Sequence, residues 1–223
     1  MRPRAIIFDL DGTLIDSAML AAGIVNAMLA ERGAVRLVTP EQARAVMTHE
    51  GAHMIAALLA SDGGDPTNEI AEFRRHYASR PTPEDCLFGG VRDGIERLHG
   101  AGWRLAICSN KPQSLCEKVL GDLALADRFE VIVGGAPRLR AKPAPDLLDR
   151  TLDLLALPAA ACVYVGDSDL DHAVASAAGV PFLYAGYGYG DPAWSAPGLR
   201  HFASFADAID AIETFGRPAA LAA

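Results

Sequence analysis

Five short runs of the chain are almost wholly apolar: Ala5–Asp9 (AIIFD), Arg104–Cys108 (RLAIC), Glu130–Val133 (EVIV), Cys162–Val165 (CVYV) and Pro181–Ala185 (PFLYA). They do not alternate apolar with polar residues, which predicts strands covered on both faces. Around the last four runs, apolar residues recur at helical spacing. Val91–Ala101 carries Val91, Ile95 and Leu98 and meets Gly102, and Pro112–Leu123 carries Leu115, Val119 and Leu120. Ala144–Leu157 carries Leu147, Leu148, Leu152 and Leu155, and the alanine-rich Asp169–Ala178 stops at Gly179. Strands alternating with helices predict an α/β fold, a doubly wound, mostly parallel (Rossmann-like) sheet.

After the first run the pattern changes. From Ser17 to about Pro83 no strand pattern occurs, and residues 18–33, 40–48, 51–61 and 66–79 all read as helices. The proline-rich Ser79–Glu84 (SRPTPE) reads as the return to the sheet. The division predicted is an α/β core of residues 1–16 and 84–215, an all-helical cap of residues 17–83 inserted after the first strand, and a frayed tail at 216–223. Hinges are expected at Ile15–Ser17 and Pro81–Asp85, which would let the cap close over a substrate and exclude water.

Composition narrows the picture only a little. The chain has 223 residues, 51% of them hydrophobic and 22% charged, which excludes a disordered or collagen-like chain. A chain of this length buries roughly 70–75% of its unfolded surface and needs no disulfide or structural metal. The formal net charge of -8 argues against nucleic acid or an anionic membrane as the main partner. It leaves an anionic substrate open, because a bound cation reverses the field locally. Cys86, Cys108, Cys116 and Cys162 form no C-x-x-C pair and read as buried, reduced thiols. With neither a signal peptide nor a membrane span in the pattern, the expected location is cytoplasmic.

The candidate chemistry lies at the strand ends, where an open parallel sheet binds its ligands. The first strand runs into Asp9-Leu10-Asp11-Gly12-Thr13. Two carboxylates so close repel unless a cation or proton lies between them, and Gly12 allows a sharp turn whose N–H groups could meet an anion. Ser109-Asn110-Lys111 follows the second strand, with a hydroxyl and an amide suited to phosphate oxygens, although on their own such residues more often cap a helix. Lys142 precedes Pro143-Ala144-Pro145, a rigid start to a helix. Gly166-Asp167-Ser168-Asp169-Leu170-Asp171 closes the fourth strand, and its carboxylates suit a hard cation, Mg²⁺ first; Asp169 also suits a helix N-terminus. Together the four ends match metal-assisted phosphoryl transfer, with one carboxylate attacking and another moving a proton.

These motifs resemble the haloacid dehalogenase superfamily over nearly the whole chain. Phe8–Thr13 is similar to its first motif, Ser109 to its second, Lys142 to its third, and Gly166-Asp167-Ser168 with Asp171 to its fourth. Within it, Ser109–Pro112 (SNKP), Lys142–Asp146 (KPAPD) and Gly186–Pro192 (GYGYGDP) resemble phosphoglycolate phosphatases. Ser109 stands where threonine is commoner, and Met47–His53 (MTHEGAH) departs from the cap loop of that group. The resemblance implies a Mg²⁺-dependent phosphatase acting on a small phosphorylated metabolite. Asp9 is then the nucleophile and Asp11 the acid and base. Asp9, Asp11 (through its carbonyl) and Asp167 would hold the metal, with Asp171 as a supporting or water-mediated ligand, and Gly12, Thr13, Ser109, Asn110 and Lys142 the phosphate, with Thr13 also suited to a supporting hydrogen bond. Cap residues His49 and His53, with Thr48 or Glu50, are candidates for facing the substrate.

Three alternatives stay open. A phosphomutase uses the same scaffold. A receiver-type switch shares the acidic strand ends but not D-x-D-G-T or a long helical insert. A binding protein on this fold would be expected to carry a broken motif, whereas every acid is present. The pattern does not fix the oligomeric state.

Overall fold

The structure is a computed structural model, and it describes residues 4–49, 51–191, 193–194 and 196–216. It divides into two compact units, one of Met1–Ile15 with Leu87–Ala223 and the other of Asp16–Cys86.

The first unit is built on β1 (Ala5–Phe8), β2 (Arg104–Pro112), β3 (Val131–Gly135), β4 (Cys162–Gly166), β5 (Phe182–Ala185) and β6 (His201–Phe202). They form one sheet in the order β3-β2-β1-β4-β5-β6 with every pairing parallel. β1 lies inside the sheet, in register with Arg104–Ile107 on one side and Cys162–Val165 on the other. Its four residues are all fully buried, which explains a run with no polar alternation. From β1 the chain order departs in both directions, so the crevice between the ends of β1 and β4 is where this topology places ligands.

On one face, Ala5, Ile7, Ala106, Cys108 and Tyr164 pack with leucines 147, 148 and 155 and with Val174. On the other, the Phe8 ring meets Phe129 edge-on at 6.5 Å and Phe205 at 5.9 Å. A β-carbon on Gly94 would lie 2.6 Å from the Phe205 ring, so a helix that packs this tightly needs glycine there.

The second unit is helical: α1 (Ala18–Glu31), α2 (Pro40–Arg44), α3 (Gly51–Leu59) and α4 (Pro66–Ser79). Thr39 opens α2 through a reciprocal capping box with Gln42, and Asp65 opens α4 by accepting from Thr67 and Asn68 N–H. Arg32 binds Glu69 at 3.0 Å and Glu72 at 2.7 Å, and donates to the Asp62 carbonyl at 2.9 Å. Asn26 exchanges two hydrogen bonds with the Val38 backbone.

In the first unit the remaining helices are α5 (Val91–Gly100), α6 (Gln113–Asp122), α7 (Asp146–Leu155), α8 (Asp169–Ala178) and α9 (Phe205–Gly216). The parallel α/β sheet matches the expectation from the apolar runs. Several details differ. β2 continues through Ser109, Asn110 and Lys111 to Pro112 instead of ending at Cys108, with its register to β3 shifting after Cys108. This continuation depends on a close approach: a β-carbon on Gly134 would lie 2.7 Å from the Lys111 carbonyl oxygen. α2 stops at Arg44, short of the helix expected to 48. β6 and α9 are additions, although Phe205, Ala208, Ile209 and Ile212, all buried, carry helical spacing. Of the tail expected to fray at 216–223, Gly216 ends α9 and residues 217–223 lie outside the described residues. The four cysteines are buried and unbonded to one another. Among the described residues no helix is long and apolar enough to cross a membrane.

Candidate active site

Four strand ends supply the site, all within the α/β unit. Asp9 follows β1 directly, and its N–H donates to the Val165 carbonyl at 2.9 Å, which locks it beside β4. Its Oδ1 pairs with Lys142 Nζ at 2.9 Å. Burial, partly offset by Lys142 and reinforced by Asp171, pushes the Asp9 carboxyl up to about 6.

Lys142 is buried under the sheet ends. Its ammonium reaches Asp171 Oδ1 at 2.6 Å, the Tyr164 hydroxyl at 3.1 Å and the Cys108 carbonyl at 3.2 Å. Burial disfavours the charged ammonium, but Asp171 and Asp9 together outweigh it and hold the pKa above the ordinary lysine value.

Asp167 and Asp171 come from the turn after β4. Asp171 is fully buried and accepts from Lys142 and Tyr164 on one oxygen and from the Ser168 hydroxyl and N–H on the other, closing a capping box at the start of α8. Asp167 accepts from the Thr13 hydroxyl at 3.2 Å and the Tyr189 N–H at 2.7 Å. Its carboxyl is pushed well above the usual range, first by burial and then by the negative charges of Asp171 and Asp9.

Asp11 is more open. Its two oxygens lie 3.0 and 2.8 Å from Lys111 Nζ. Ser109 is buried at the point where β2 changes register, and its hydroxyl accepts from the Lys111 N–H at 3.4 Å.

Hydrogen bonds within the chain engage several of the groups that the sequence offered to a phosphate. The Gly12 N–H is not left open for an anion, because it donates to the Ile15 carbonyl at 2.9 Å. Gly12 matters for space instead: at φ +84° its missing β-carbon would lie 2.1 Å from Asp167 Oδ2. Thr13 is fully buried with its hydroxyl on Asp167, the supporting hydrogen bond that the sequence also suggested for it. The side chain of Asn110 exchanges two hydrogen bonds with the Lys142 backbone, at 2.7 and 3.2 Å, which clamps the lysine loop. Thr48, His49 and His53 are exposed residues of the helical unit, and Glu50 lies outside the described residues.

The sequence pattern alone assigns no role at the site to Tyr164, to Lys111 or to the Gly186–Asp191 loop, although the motifs that contain the last two stand out. Tyr164 sits within an apolar run and looked like core. In the loop, β-carbons on Gly188 and Gly190 would lie 2.3 Å from Asp167 Cβ and 1.9 Å from the Asp167 carbonyl oxygen. The glycines at every second position are therefore the signal that a backbone presses against the acidic turn. Tyr187 ties the same loop to the Thr13 carbonyl at 2.9 Å.

The donor set fits a divalent cation. Asp9, Asp167 and Asp171 each offer an oxygen within 4.8 Å of the others, all three buried. One ammonium faces these three carboxylates, and a doubly charged ion balances the excess. The oxygen-only ligands suit a hard ion such as Mg²⁺.

The family profile described as haloacid dehalogenase-like hydrolase matches residues 6–185, from β1 to the end of β5. The chain belongs to that family. The haloacid dehalogenase-like hydrolase is also 38% identical over 188 residues to a phosphoglycolate phosphatase of Xanthomonas campestris, covering 84% of this chain and 85% of the relative. It is 36% identical over 222 residues to the plasmid-encoded phosphoglycolate phosphatase of Cupriavidus necator, covering 98% and 95%. A crystal structure of a CbbY mutant from Rhodobacter sphaeroides, in complex with xylulose-(1,5)bisphosphate, superposes with a TM-score of 0.72 at 27% identity, covering 93% of this chain and 96% of that one.

Proposed function

We propose that this hydrolase is a Mg²⁺-dependent phosphatase that cleaves a small phosphate monoester through an aspartyl-phosphate on Asp9. The observation that carries the reading is the Asp9 carboxylate itself: buried at a strand end, paired with one ammonium at 2.9 Å and crowded by two further buried carboxylates. Buried like charges in excess of their counter-charge favour a bound cation over the bare fold.

Asp9 attacks phosphorus while Asp11 gives a proton to the departing ester oxygen. Asp11 then takes a proton from water, which attacks the acyl phosphate and frees Asp9 and inorganic phosphate. Lys142 and the Ser109 hydroxyl face the phosphate oxygens, and Asn110 keeps Lys142 in place. Asp9, Asp167, Asp171 and the Asp11 carbonyl are the groups that would hold Mg²⁺. When bound, the ion withdraws negative charge from the phosphate and lets two anions meet. Thr13 and the Tyr189 N–H keep Asp167 aimed.

The relatives' names make 2-phosphoglycolate the first substrate to try. The test is a panel of small monoesters, phosphoglycolate and sugar phosphates among them, assayed with Mg²⁺ and with chelator. Phosphate release that stops with chelator is expected. Isomer formation without net phosphate release would replace the reading with a phosphomutase, and no turnover of any ester would favour a binding protein.

A further inference from the structure

We propose that Lys111 is a positioning residue for Asp11, holding its carboxyl group at the angle from which it protonates the leaving alcohol. The proposal rests on the phosphatase reading above and adds a residue to it.

The geometry is specific. Lys111 Nζ contacts both oxygens of Asp11, at 2.8 and 3.0 Å, and the lysine side chain keeps only 9% of its exposure. A long lysine stem on a surface loses its ordering to entropy, whereas this one is nearly covered and its backbone is fixed on both sides. Its N–H meets Ser109 Oγ at 3.4 Å, and its carbonyl accepts from the Cys116 thiol at 3.4 Å. Gly134 lets β3 press against that carbonyl. The continued, register-shifted β2 thus delivers Lys111 to the β1 turn. Lys142 is engaged elsewhere, with Asp9 and Asp171, so the two lysines divide the work: one faces the nucleophile, the other the proton donor.

A residue acting through a proton donor has a distinctive signature. An alkyl phosphate needs its leaving oxygen protonated as the P–O bond breaks, whereas an aryl phosphate with an acidic phenol departs without help. The experiment compares kcat/KM for an alkyl ester, 2-phosphoglycolate or a sugar phosphate, with that for p-nitrophenyl phosphate in wild type, Lys111→Met and Lys111→Arg, with Mg²⁺ present. Lys111→Met is expected to lower the alkyl value about 100-fold, within the usual range for general-acid catalysis, and the aryl value only a few-fold. Lys111→Arg should restore most of the alkyl activity, since a guanidinium also spans both carboxylate oxygens. Equal losses on both esters, or no loss on either, overturn the proposal and leave the phosphatase reading standing. Equal loss would mean that Lys111 binds phosphate or serves only the fold. If the wild-type chain hydrolyses neither ester, the phosphatase reading fails and the proposal falls with it.

Discussion

Charged side chains are used in opposite ways in the two units. In the helical unit, one guanidinium, that of Arg32, bridges the carboxylates of Glu69 and Glu72, with Arg32 and Glu72 partly exposed to water. At the strand ends of the α/β unit, Asp9, Asp167 and Asp171 are buried together with one ammonium between them. The first arrangement ties helices together. The second opposes folding, since like charges removed from water repel and are poorly solvated. Such a cluster is stabilised when something outside the chain completes it, and that contrast supports the proposal that these acids hold a ligand.

The contrast can be broken at several points. Replacing Asp9 by Asn should lower phosphate release at least about 1,000-fold, as removing a nucleophile does elsewhere, without unfolding the protein; circular dichroism beside the assay checks both halves. The pH dependence of stability should follow. The carboxyl of Asp9 rises from 3.8 to about 6 on folding, so the folded state binds its proton more tightly. That contribution is fully present below about pH 4 and is lost as the pH rises through about 6, a difference on the order of 3 kcal/mol. Denaturant melts in chelator should therefore show Asp9→Asn gaining on wild type between pH 4 and 7.

Metal is the next probe. Added at about 100 times its dissociation constant, Mg²⁺ should stabilise the wild-type chain by roughly 2.7 kcal/mol. Asp167→Asn should lose most of that shift while melting no lower than wild type in chelator. The smallest effect is expected in the helical unit. Arg32→Ala removes a paired charge and leaves Glu69 nearly buried, so it should cost about 1–2 kcal/mol in stability with kcat unchanged. If Arg32→Ala instead stabilised the protein and Asp9→Asn destabilised it, the comparison would be reversed.

Much of this was legible in the sequence because period and position are local properties. The unbroken apolar runs identify β1 and β4, and a strand end at Asp9 or Asp167 is a strand end whatever surrounds it. The side-chain assignments fared less well where a long or small residue acts at a distance. Lys111, at the end of an apparent loop, gives no sign that Gly134 lets β2 continue and carry it to Asp11. Thr13 and Asn110 have the right chemistry for phosphate, and the sequence could not show that the Thr13 hydroxyl meets Asp167 or that the Asn110 side chain bonds the Lys142 backbone. β6, two residues long, is too short for any periodicity to announce it.

The central claim is that the phosphoryl group rests on Asp9. Turnover of a radiolabelled phosphate ester with Mg²⁺, quenched in acid and followed by peptide mapping, reads this directly. The account predicts hydroxylamine-labile label on the peptide holding Asp9, absent from Asp9→Asn. Label on Ser109 or Asp11 would contradict it.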